Sequence, residues 1–79
     1  MSVFSTIDLH GHTVESARRL LTDTLRTLPP DTRELEVIHG YHQGTAIREM
    51  IRKFRHPRIE RKILSMNQGS TIFELKTKK

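Results

Sequence analysis

The sequence predicts a single two-layer α/β domain whose elements follow the order β-α-β-α-β-β. Four short runs of alternating apolar or β-branched residues are typical of strands, and two stretches with helical periodicity lie between them. The turn sequence at residues 67–70 joins the last two runs and predicts a hairpin. The chain has 79 residues, which suffices for one small core, so we expect a single domain over residues 1–79.

The first strand is predicted at residues 3–10. Side chains alternate between the two faces of a strand, so Ile7 and Leu9 share one face while Asp8 and His10 share the other. Both polar side chains therefore lie near the C-terminal end of the strand. We expect the carboxylate to orient the imidazole, or both groups to contact a common ligand.

The first helix is predicted at residues 13–28, where Thr13 suits the N-cap position. Pro29 and Pro30 end it, because neither can donate a backbone hydrogen bond. Apolar residues at spacings of three and four define one buried stripe. The members of this stripe are Ala17, Leu20, Leu21, Leu25 and Leu28.

The second strand, at residues 34–39, has the β-branched composition of a central strand. A strand, a helix and a strand in this order predict a right-handed parallel crossover, which brings the carboxyl ends of both strands to one edge of the sheet. His39 then lies at the same edge as Asp8 and His10. Open α/β sheets generally bind ligands at this edge.

The second strand leads into a glycine-containing loop and a helix predicted at residues 45–55. Such a junction offers backbone N–H groups and the positive end of a helix dipole, which suits a phosphate. Arg48 opposes the dipole of its own helix, so a ligand explains it better than helix stability does. The candidate phosphate-binding residues are Gly40, Tyr41, His42, Gly44, Thr45, Arg48 and Arg52. Strands at residues 59–66 and 71–77 complete the sheet.

The composition favours a polyanionic partner. Lys and Arg number 14 against 9 Asp and Glu, which gives a net charge of +5, as expected of a domain that binds nucleic acid. Cysteine is absent, which excludes disulfides and thiolate metal sites and is compatible with a reducing compartment. We expect a cytoplasmic monomer with no membrane segment.

Two sequence motifs of this chain resemble those of a known domain family. Residues Ile7 to Glu15 resemble the Leu-Asp-Leu-His-Gly opening of the Smr (small MutS-related) domain, and His39-Gly40 with Gly44, Ile47 and Arg48 resembles its second motif. Their order, the helix between them and the closing His56-Pro57 also match, over essentially the whole chain. One difference is His42, which takes the place of the middle glycine in the usual His-Gly-x-Gly-x-Gly.

The resemblance implies a mixed four-stranded sheet with two helices, similar to the C-terminal domain of the third translation initiation factor. It also implies nucleic-acid binding, with nicking of DNA or cleavage of RNA in several members and an association with DNA repair and recombination. Two hypotheses follow for this chain. One is an endonuclease, and the other is a non-catalytic module that recognises branched or structured nucleic acid.

The chemical roles within an endonuclease would fall to Asp8, His10 and His39. Either histidine suits a general acid or base near neutral pH, while Asp8 suits the fixing of a tautomer or the binding of a metal. Arg48 suits the stabilisation of charge that develops on phosphorus. The three residues also form a conceivable ligand set for a divalent ion such as Mg²⁺ or Mn²⁺. Alternatively, His39 shares a face with Leu35 and Val37 and is a partly buried histidine bonded to the Asp8 side chain or to backbone.

Overall fold

The computed structural model describes residues 4–40, 46–65 and 69–77. It has the predicted order of elements, and each observed boundary lies within two residues of the predicted one. The elements are β1 (Phe4–Asp8), α1 (Val14–Thr27), β2 (Glu34–Ile38), α2 (Ala46–Lys53), β3 (Ile59–Leu64) and β4 (Ser70–Leu75).

The four strands form one mixed sheet in the order β1-β2-β4-β3. β1 and β2 are parallel, with Asp8 opposite Ile38, which confirms the parallel pairing expected of the crossover and the shared carboxyl edge. β4 is antiparallel to both of its neighbours, β2 and β3. The antiparallel pairing expected of the predicted hairpin and the central position of β2 are therefore also confirmed, while residues 67 and 68 of the predicted turn lie outside the described residues.

One apolar cluster forms the core between the helices and one face of the sheet. Thr13 caps α1 as predicted, since its side chain accepts a hydrogen bond from the Ser16 N–H. The predicted stripe of α1 is too wide, because Leu20 is 36% exposed whereas Leu21 is fully buried. Adjacent helical residues differ by about 100° around the axis, which places Leu20 beyond the edge of the buried stripe. No helix in the described part of the chain is long and apolar enough to cross a membrane.

Two basic side chains near β3 bind the C-terminal ends of the helices. Arg58 donates hydrogen bonds to the carbonyls of Leu25 at 2.7 Å, Leu28 at 2.8 Å and Pro29 at 2.8 Å. Lys62 donates to the carbonyls of Arg52 and Phe54 at the end of α2. The last carbonyls of a helix lack partners within it and carry its negative pole, so both cations stabilise the ends they contact.

Candidate functional site

The carboxyl edge of the sheet joins three segments of the chain. The Leu9 N–H donates to the Ile38 carbonyl at 2.7 Å, which ties the end of β1 to β2. The N–H groups of His39 and Gly40 both donate to the Gly69 carbonyl, at 3.0 and 2.9 Å. Gly40 has a φ of 72°, a conformation that favours glycine. The edge is therefore held by the turn before β4 as well as by β1 and β2.

Asp8 lies exposed at this edge and organises the turn that follows β1. Its Oδ1 accepts a hydrogen bond from the backbone N–H of His10 at 2.9 Å. Gly11 then has a φ of 84°, and a Cβ added there would meet nothing within 4 Å, so the backbone conformation is what favours glycine. The bond shown between the two predicted site residues thus joins the backbone N–H of His10 to the Asp8 carboxylate.

His39 is buried, with 1% of its surface exposed. Its Nδ1 lies 3.1 Å from the Gly40 carbonyl and its Nε2 lies 3.1 Å from Thr71 Oγ1. A carbonyl oxygen only accepts, so Nδ1 carries a proton, and in the neutral ring Nε2 accepts from the Thr71 hydroxyl. The interpretation of His39 as a buried, backbone-bonded histidine matches this geometry. The expected bond to Asp8 is replaced by the bond to Thr71.

The three predicted catalytic residues share one edge but not one cluster. Asp8 pairs with Ile38 in the sheet register, so strand alternation directs the Asp8 side chain to the face of the sheet away from the core. His39, by contrast, is buried and lies on the core face. Within residues 4–40, 46–65 and 69–77, no group of three His, Asp or Glu side chains is placed to hold a metal ion. The described residues therefore do not bring Asp8, His10 and His39 together as a ligand set, and the chemical roles of the three residues stay predictions.

A basic cavity of about 310 Å³ adjoins the edge, between α2 and the β3–β4 hairpin. Burial lowers the pKa of Lys62, and the nearby charge of Arg55 lowers it further. Thr71, which bonds to His39, also lines this cavity, so one residue is common to the cavity and the carboxyl edge. Its lining residues are Arg48, Glu49, Arg52, Lys62, Leu64 and Thr71.

Sequence reasoning identified Arg48 and Arg52 in this cavity but missed Lys62 and Thr71. Thr71 lies 32 residues after its partner His39, and no sequence pattern indicates that contact. Alternation from Ile59, which packs on the core, would have directed Lys62 away from the helices, and the register shift between Ile59 and Arg61 places it opposite the buried Phe73 instead. Of the other predicted phosphate-binding residues, Tyr41, His42, Gly44 and Thr45 lie outside the described residues.

Comparison with protein-family models matches residues 7–71 to the Smr domain. The match includes the turn after β1, the end of β2, α2 and Thr71, and so covers the whole edge described above. A comparison with curated proteins finds no match.

Proposed function

Because this chain belongs to the Smr domain family, whose members are nucleic-acid-binding, nuclease-like domains, we propose that it binds nucleic acid in the basic cavity and cuts a phosphodiester at the adjoining carboxyl edge. The observation that carries the proposal is the contact between the two features. Thr71 lines the cavity and bonds to His39 at the edge. A phosphate held by Arg48 and Arg52 would therefore lie beside the end of β2.

The proposed chemistry uses the exposed residues of the edge. Asp8 and His10 would act on the reacting groups, since a carboxylate and an imidazole can transfer or orient a proton near neutral pH. Arg48 would stabilise the charge that develops on phosphorus. His39, the third predicted catalytic residue, would position Gly40 and Thr71 through the bonds of its two ring nitrogens.

A second candidate, a binding module without catalysis, is favoured by the burial of His39. With both ring nitrogens bonded inside the fold, His39 must break a hydrogen bond before it can exchange a proton with a substrate. Fewer exposed side chains at the edge can then take part in phosphodiester cleavage, while the burial of His39 leaves the basic cavity able to bind phosphate. Structured or branched DNA or RNA would be the ligand in either case.

The test is incubation of the chain with labelled duplex DNA, branched DNA and RNA, with Mg²⁺, with Mn²⁺ and without metal. We expect a retarded complex and cut product with at least one substrate. A complex without cutting under every condition would establish the binding module instead. The absence of any complex would contradict nucleic-acid binding itself.

The binding surface is tested with Arg48→Ala and Arg52→Ala. Each change should weaken binding across sequences alike and reduce the slope of log K against log salt by about one, because one phosphate contact is lost. Arg19→Ala is the matched control, since it removes the same charge from the exposed surface of α1. Arg48→Ala is the cleaner variant, because Arg52 also pairs with Glu49 at 2.9 Å. If both variants kept the parent's affinity and slope, α2 would not be part of the interface.

A further inference from the structure

A second, larger groove continues from the basic cavity along the C-terminal end of α2. Its volume is about 790 Å³, and it shares Arg52 and Lys62 with the basic cavity. The eight residues of α2 rise about 12 Å at 1.5 Å each. This equals three to four steps of a nucleic-acid strand at about 3.4 Å per step. A nucleic-acid strand held at the carboxyl edge would therefore reach the groove after three to four nucleotides.

A ladder of three parallel rings leads from the core into this groove. Phe73 is fully buried, and the ring of Phe54 stacks on it at 6.5 Å between centroids and 7° between planes. His56 stacks on Phe54 at 6.5 Å and 10°. Phe54 and His56 both line the groove and are partly exposed. The ladder thus ends at the surface in a ring whose plane is set by two rings beneath it.

The backbone fixes the outermost ring as well. His56 Nδ1 accepts a hydrogen bond from the Arg58 N–H at 3.1 Å, and Arg58 is itself bonded to the end of α1. Proline follows at position 57 and restricts the backbone conformation of His56. A ring held in this way loses little conformational entropy when another ring stacks on it.

Positive charge surrounds the exposed end of the ladder. Lys53 and Arg55 line the groove, and within the described ranges neither makes a salt bridge. Arg61 pairs with Glu74 at 3.3 Å, and Glu60 is the single carboxylate in the lining. The groove therefore combines available cations with a flat aromatic surface, the two elements that proteins use to hold single-stranded nucleic acid.

We propose that this groove binds single-stranded nucleic acid, with an unpaired base stacked on His56 and the adjacent phosphates beside Lys53 and Arg55. This inference rests on the proposed nucleic-acid binding and deepens it, because it assigns a strand type to one end of α2. Bases within a duplex are already stacked on their neighbours and are not available to stack on a side-chain ring. The groove therefore favours an overhang or a single-stranded flank over a blunt duplex.

The test compares binding of a blunt duplex, the same duplex with a thymidine overhang, and a short oligothymidylate, by fluorescence anisotropy. His56→Asn removes the ring while its Oδ1 can still accept from the Arg58 N–H, and His56→Tyr keeps an aromatic ring. We expect His56→Asn to weaken binding to the overhang and the oligothymidylate at least fivefold, because stacking one base on an aromatic ring changes affinity by about fivefold to a hundredfold. Binding to the blunt duplex should stay unchanged, and His56→Tyr should retain most of the single-strand affinity.

The outcomes separate this inference from the proposed function. If the parent binds all three ligands and His56→Asn binds them as tightly, the stacking surface is wrong although nucleic-acid binding stands. If an acidic peptide displaces the oligothymidylate equally well from the parent and from His56→Asn, the groove is a general anion surface and the inference fails. A parent that binds none of the ligands overturns both proposals. The melting temperature of each variant establishes that it is folded.

Discussion

Asp8 and His39 lie at the same edge of the sheet but differ in their access to water. Asp8 is exposed, whereas His39 is 1% exposed and has both ring nitrogens bonded. A buried polar group that loses its partner costs about 1–3 kcal/mol, so proton exchange by His39 carries a penalty that Asp8 does not incur. For the proposed reaction, the exposed end of β1 is therefore the better location for chemistry, and His39 is better suited to positioning.

Asp8→Asn tests this assignment with little change in structure, because the amide oxygen can still accept from the His10 N–H. We expect the rate of cutting, measured as product against time on a gel, to fall at least about tenfold in Asp8→Asn and in His10→Ala. General acid and base groups typically contribute about 10²–10⁴-fold. Binding should persist or tighten, because a carboxylate close to a polyanion is repulsive.

Asp31→Asn is the control for this prediction, since Asp31 is exposed in the turn after α1 and its loss changes the net charge equally. It should cut at the parent rate. If Asp8→Asn and His10→Ala remained folded and also cut at that rate, the chemistry would lie elsewhere, and His42 would be the next candidate.

At the scale of elements, Arg58 couples the end of α1 to the start of β3. Its three hydrogen bonds reach carbonyls at 2.7–2.8 Å, and bonds to charged groups contribute about 1.5–3 kcal/mol. We expect Arg58→Ala to lower the free energy of unfolding, in urea denaturation, by at least the contribution of one such bond, about 1.5–3 kcal/mol. Hydrogen exchange should also accelerate at the Leu28 N–H, which bonds to Thr24 in the last turn of α1.

Two further variants locate this effect. Arg58→Lys keeps the charge but not the planar group that reaches three carbonyls, so its stability should be intermediate. Arg19→Ala removes an exposed charge from the middle of α1 and should change the free energy of unfolding by less than about 0.5 kcal/mol. An Arg58→Ala protein as stable as Arg19→Ala would show that the contacts contribute nothing.

The sequence predicted features that follow from periodicity and chain order. Alternation along β2 placed His39 on the core face with Leu35 and Val37, and all three are buried. The parallel crossover brought the ends of β1 and β2 to one edge, as expected. These predictions succeed because each depends on neighbouring residues or on the parallel pairing of two strands joined by a single helix.

The contacts that the sequence did not predict join distant parts of the chain. Thr71 meets His39 only because β4 inserts between β2 and β3, and the hairpin alone does not determine that strand order. Arg58 reaches α1 across about 30 residues for the same reason. Leu20 was misplaced because spacing identifies the buried stripe of a helix but not its width.

For the whole molecule, the uncovered face of the sheet differs in charge from the surface around α2. Leu35 and Phe73 are buried beneath the helices, so alternation places Glu34, Glu36 and Glu74 on the opposite face. Glu74 is neutralised by Arg61. Away from the carboxyl edge, Glu34 and Glu36 repel phosphate on that face, while the cations near α2 attract it. The net charge of +5 therefore does not show that positive and negative side chains lie on different surfaces of this small domain.

This asymmetry predicts how nucleic acid is oriented on the domain. In a titration of the ¹⁵N-labelled chain with an oligonucleotide, the largest amide shift changes should occur at residues 46–62 and at the ends of β1 and β2. Amides of Glu34 and Glu74 should change least, because they lie at the amino edge of the sheet and carry the repelling side chains. Raising the salt concentration should abolish the shifts, since the attraction comes from phosphate contacts. Largest changes at Glu34, Glu36 and Glu74 would reverse the proposed orientation and place the ligand against these carboxylates.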